Sequence, residues 1–163
     1  RPCELVTAPL DFDPEARLER YLTVAREMGF CAPYEGATHL HFDATPFFNA
    51  NAFANLVALL SHCGEDLRSK LGTNPNCSRL GPWPEELLAA VSRADFRELS
   101  WPQAQERLRP LRLSKFCDFN LVNCLGGHAH LRTVEIRILP VHLSARPIME
   151  AAEWLVDLFQ RAL

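Results

Sequence analysis

Two short stretches of this chain set histidines, carboxylates and an arginine at two-residue spacing. They are Thr38-His39-Leu40-His41-Phe42-Asp43 and Thr133-Val134-Glu135-Ile136-Arg137-Ile138. In extended backbone successive side chains point to opposite sides, so residues two apart share a face. His39, His41 and Asp43 therefore lie together, opposite Leu40 and Phe42. Thr133, Glu135 and Arg137 likewise oppose Val134, Ile136 and Ile138. Glu4, in the alternating run Glu4-Leu5-Val6-Thr7-Ala8, is expected to join them from a first strand. In a single sheet these strands would collect two histidines, up to three carboxylates and an arginine on one face.

That mixture suits metal-bound phosphate chemistry. Carboxylate oxygens are the natural ligands of magnesium or manganese, and manganese tolerates imidazole better. A nearby guanidinium can clamp a carboxylate or stabilise charge on a transferring phosphoryl group. A plainer reading stays open beside it: polar alternation is ordinary on a solvated sheet face, and Glu-x-Arg is often only an ion pair. Other candidates are weaker. Gly126-Gly127 reads as a turn rather than a phosphate loop, with His128 and His130 as loop residues beside it. His62 and Cys63 read as helix-end residues, where capping is the expected role. No Ser or Cys sits in a nucleophile motif. Trp83 and Trp101 each neighbour a proline and read as local packing.

The elements that must position these residues are legible from periodicity. Asp13-Pro14-Glu15 predicts a helix start with Asp13 as cap, Leu18, Tyr21, Leu22, Ala25 and Met28 on one face, and Gly29 as the stop. A strand over 36–43 is followed by a helix over about 51–70, with Phe53, Leu56, Val57, Leu60 and Leu67 inward. Gly72 to Pro84 reads as a loop, and shorter helices are expected near 85–95 and 102–109. Strands near 115–123 and 131–139 precede a last helix opened by Pro147, with Ile148, Ala151, Leu155, Leu158 and Phe159 buried. This order predicts a single α+β domain over 1–163, with helices on one face of a mainly antiparallel sheet and a polar face on the other.

Composition is that of an ordinary soluble domain: of 163 residues, 48% are apolar and 23% charged, and the net charge of −3 gives no basic face for nucleic acid. No apolar run is long enough to span a membrane. The start, Arg1-Pro2-Cys3-Glu4, has no signal-peptide pattern and reads as a strand entered mid-course, so residues upstream are expected. Six cysteines at irregular spacing, with no C-x-x-C pair, are expected to be free thiols of a cytoplasmic protein.

Four blocks carry a family resemblance: Glu4-Leu5-Val6-Thr7-Ala8-Pro9-Leu10, Gly36-Ala37-Thr38-His39-Leu40-His41-Phe42-Asp43-Ala44, Lys115-Phe116-Cys117-Asp118-Phe119-Asn120-Leu121 and Thr133-Val134-Glu135-Ile136-Arg137-Ile138-Leu139-Pro140. In order and interval they resemble the amidoligase family, an offshoot of the carboxylate–amine ligase fold shared with glutamine synthetase and glutamate–cysteine ligase. The resemblance implies that ATP phosphorylates a carboxylate and an amine then displaces phosphate, with Mg2+ or Mn2+ held on the concave face of the sheet. It implies Glu4, His39 and Glu135 as metal ligands, and His41, Lys115 and Asn120 as contacts to nucleotide phosphates or substrate. Arg137, with Glu135, would be catalytic. Partners would be a small-molecule or peptide carboxylate and an amine. The family pattern also has an earlier strand with paired glutamates, so an N-terminally truncated domain is expected. An inactive amidoligase-like binding module and a metal-dependent hydrolase using the same His and Glu cluster are the competing readings.

Overall fold

The computed structural model describes residues 4–126 and 132–163. Its framework is α1 (Pro14–Glu27), β1 (Ala37–Asp43), α2 (Ala50–Leu71), α3 (Glu85–Val91), α4 (Ala94–Arg97), α5 (Trp101–Leu108), β2 (Phe119–Asn120), α6 (Val122–Leu125), β3 (Thr133–Pro140) and α7 (Ala145–Gln160). The three strands form one antiparallel sheet in the order β1-β3-β2, so the strand carrying Glu135 and Arg137 is central. The α+β class and the antiparallel sheet stand as the sequence predicts.

Apolar spacing builds the covered face. Val134, Ile136 and Ile138 of β3 are fully buried with Phe53, Leu56, Val57 and Leu60 of α2 and Leu155, Leu158 and Phe159 of α7. Leu40 and Phe42 of β1 pack against the same core, and Phe159 meets Phe42 edge-on at 5.1 Å. A second cluster joins Leu18 and Leu22 of α1 to Leu139, Ile148 and Ala151. Ile138 and Leu139 are consecutive yet both buried, because a register shift between Thr38 and Leu40 interrupts the β1–β3 ladder. Such a bulge breaks strict alternation and re-aims the residues that follow.

Helix α2 is well specified at both ends. Asn49 Oδ1 accepts from the Asn51 and Ala52 amides at 2.9 and 3.2 Å, and Gly72, at φ 67°, closes the helix in the left-handed conformation. Asn49→Ala is expected to cost about 1 kcal/mol, read as a lower urea midpoint with an unchanged slope. An unchanged midpoint would show that the cap contributes nothing.

Several expectations need correction. Residues 4–8 form no strand: Leu5 and Val6 are exposed, and β propensity without a partner strand does not hold a ladder. Glu4 is thus an exposed residue outside the sheet. The strand expected over 115–123 shrinks to Phe119–Asn120. Before it, Asp118 pairs its amide and its carboxylate with Gly81 of the loop; after it, Asn120 Oδ1 accepts from the Val122 amide and turns the chain into α6. Asp13 takes φ 43° and makes no side-chain cap, and of the face expected on α1 only Leu18 and Leu22 are buried. His62 and Cys63 lie inside α2, not at its end, so neither caps it. Gly127, His128 and His130 lie outside the described residues. No helix among the described residues is long and apolar enough to cross a membrane.

Candidate active site

The sheet face away from the helices converges on one carboxylate. Glu135 stands directly opposite His41 across β1 and Asn120 across β2, because β3 runs between them. Its Oε1 accepts from Arg137 Nη1 at 2.8 Å and lies 3.1 Å from His39 Nδ1 and 3.8 Å from His41 Nε2. Its Oε2 accepts from Asn120 Nδ2. Glu135 is only 6% exposed and Arg137 8%, so this is a buried ion pair and not a solvated stripe.

Electrostatics follow from that packing. Burial pushes the Glu135 carboxyl up, but hydrogen bonds from His39 and Asn120 and the charges of Arg137 and His41 outweigh it, holding it at about 2 against an ordinary 4.5. Hydrogen bonding and opposite charge both favour the ionised form. The unfolded chain therefore takes up this proton first as pH falls. The stabilisation is complete above about pH 4.5 and is lost progressively down to about pH 2. Melting temperature is expected to drop more steeply across that window in the wild type than in Glu135→Gln; parallel acid profiles would refute the depressed carboxyl.

A second ring of contacts braces the pair. The Arg137 amide donates to the Asp118 carbonyl at 2.9 Å, while Asp118 Oδ1 accepts from Arg68 at 2.7 Å and from the Gly81 amide. Thr133 Oγ1 lies 3.2 Å from His41 Nδ1 and accepts from Asn123 Nδ2 at 3.0 Å. Trp83 Nε1 donates to the Phe119 carbonyl at 2.6 Å, and its ring tilts against Phe119. Asp118, Arg68 and Asn123 carry no role in the sequence reading. For Asp118 a signal was present, since it alternates with Asn120 within one block.

Arg137 Nε is buried and has no hydrogen-bond partner among the described residues. Buried donors are nearly always satisfied, so an unsatisfied one in a polar cluster is a reason to look for a missing acceptor.

The structure brings His39, His41, Asn120, Glu135 and Arg137 together, but not Glu4 or Lys115. Lys115 is exposed on the bend before β2, its ammonium 5.4 Å from the Phe116 ring. Asp43 also leaves the cluster: its Oδ1 accepts from the Thr45 amide and hydroxyl, capping the turn after β1, and these bonds lower its pKa. Among the described residues no three His, Cys, Asp or Glu side chains are grouped to hold a metal ion. The cysteines at 31, 63, 77, 117 and 124 are free, and Cys3 lies outside the described residues. Burial pushes Cys117 up to about 11 and Cys124 up to about 12, so neither is a thiolate nucleophile at neutral pH.

Comparison with known proteins finds no significant match among the curated proteins and none among the solved structures. The family described as "Putative amidoligase enzyme" matches residues 1–159, nearly the whole chain and all of the cluster around Glu135. The chain belongs to the amidoligase family.

Proposed function

We propose that this chain is an ATP-dependent carboxylate–amine ligase working through an acyl-phosphate. The observation that carries the reading is the buried Glu135–Arg137 pair gathered with His39, His41 and Asn120 on one face of the sheet, in a chain of amidoligase descent. In the proposed reaction a carboxylate oxygen of the acid attacks the γ-phosphorus of ATP and ADP leaves. An amine nitrogen then attacks the acyl carbon, phosphate departs, and loss of a proton from nitrogen completes the amide. Glu135 fixes Nη1 and so orients the guanidinium, whose charge would stabilise the substrate carboxylate or the transferring phosphoryl oxygens. Asn120 holds the other oxygen of Glu135, and His41, exposed beside the pair, would contact phosphate. Lys115 would be an outer phosphate contact. The sheet would be the core of a glutamine synthetase-like concave face.

Glu135 and His39 would hold the divalent ion, with Glu4 as a third ligand only if its exposed segment folds over the sheet. One carboxylate and one imidazole fit an ion bound as part of an ion–nucleotide complex rather than in an all-protein cage. Magnesium commonly takes one or two carboxylates and completes its octahedron with phosphate oxygens and water, and manganese accepts the imidazole better. The ion would supply neutralisation of phosphate charge. Free thiols throughout the described cysteines support a cytoplasmic setting.

One specific observation favours a second reading, an inactive binding module: both oxygens of Glu135 are already engaged by protein donors. The deciding experiment measures phosphate release from ATP with Mg2+ or Mn2+ and pooled carboxylates and amines. Release that needs both substrates, and disappears in Arg137→Lys, is expected, because an ammonium does not reproduce the guanidinium fork. ATP binding with no turnover would point to the binding module. Metal-dependent bond cleavage indifferent to ATP would replace the ligase with a hydrolase.

A further inference from the structure

We infer that α1 is a self-association surface through which two copies of this chain pair antiparallel about a two-fold axis. Leu18 and Leu22 use one face of α1 against Leu139, Ile148 and Ala151. The adjacent face repeats the apolar spacing of a packed helix and is left uncovered by the described residues: Tyr21, Val24 and Met28 are 44%, 53% and 69% exposed. Phe12 and Phe30, just beyond the two ends of the helix, are exposed as well. An apolar stripe concentrated in this way is a mark of an interface.

Charge selects the occupant. Arg17 is tied to Asp11 and Arg26 to Glu19, whereas exposed Arg20 and Glu27 make no ion pair among the described residues. They border the stripe on one side, seven residues and about 10.5 Å apart along the helix. A two-fold axis midway between Thr23 and Val24 sets Arg20 of each copy against Glu27 of the other, twice. In the same register Tyr21 lies about 3.8 Å along the helix from the axis. That is level with the gap between the partner's Val24 and the partner's Met28, at about 0.8 and 6.8 Å on the same side. A side chain thus faces a hole between residues four apart, the arrangement helix packing favours. One charge register and one packing register coincide, and both close on a second copy of this chain. Neither depends on the ligase reading.

The test is sedimentation equilibrium of the full chain and of Arg20→Glu and Glu27→Arg, alone and mixed. The wild type is expected to sediment at twice the chain mass. Each single reversal sets like charges together at two places and should weaken the dimer at least about tenfold. An equimolar mixture of the two variants should recover association, since both cross-pairs then join opposite charges. The acid introduced at position 20 faces the base introduced at position 27, and the unchanged Glu27 of one copy faces the unchanged Arg20 of the other. Val24→Asn, at the centre of the stripe, should dissociate the dimer without a change of charge, and melting curves verify that all variants fold. A wild type that stays monomeric at its highest soluble concentration overturns the proposal. So does a dimer indifferent to the reversals, or a mixture that fails to recover.

Discussion

Glu135→Gln is expected to lower the stability of the fold by about 3 kcal/mol near neutral pH and to abolish the proposed ATP turnover. The carboxylate is the only ion-pair partner of Arg137 among the described residues, and both side chains are buried. Removing one member of a buried pair leaves the other charge uncompensated, which costs far more than loss of a surface bridge. The amide also presents an NH2 either to Asn120 Nδ2 or to the donors on the Arg137 side, setting donor against donor. A face of crowded carboxylates would give the opposite sign, since neutralising one would relieve repulsion. The structure instead surrounds a single carboxylate with cationic and amide donors. Urea denaturation at pH 7 decides between the two: a variant as stable as the wild type would remove Glu135 from the centre of the cluster.

Ile136→Ala is expected to cost about 2–5 kcal/mol while the proposed turnover of the molecules that remain folded persists. Ile136 neighbours Glu135 in sequence but points the other way, fully buried among α2 and α7. The expense is lost methyl burial plus a cavity that close-packed neighbours fill only in part. The polar cluster should survive because it is positioned by ladder pairs, Glu135 opposite His41 and Asn120, which use backbone atoms alone. Denaturant midpoints together with activity normalised to the folded fraction give the answer. A loss of activity as complete as that of Glu135→Gln would mean that the site depends on core packing more than on register.

Taken together, the two substitutions separate local pattern from assembly. Period-two alternation was enough to put Val134, Ile136 and Ile138 inside and Glu135 and Arg137 on the other face, because side chains on an extended backbone have no other choice. The 3.6-residue period was enough for the buried stripes of α2 and α7. These are properties of a few consecutive residues, so the sequence determined them by itself. It also placed His39, His41 and Asn120 among the residues to watch.

What it could not determine depended on partners distant in the chain. Glu4 alternates as well as any strand residue, yet no neighbouring strand among the described residues takes up its backbone, and alternation without a ladder leaves it exposed. Asp43 has the right parity for the polar face but is drawn into the turn by Thr45, a competition between side-chain and sheet bonding that parity does not register. The bulge opposite His39, the Asp118–Arg68 brace across 50 residues and the burial of the Glu135–Arg137 pair arise from strand order. Only with β3 at the centre of the sheet does one carboxylate meet donors from both neighbours, and tertiary structure alone sets that order.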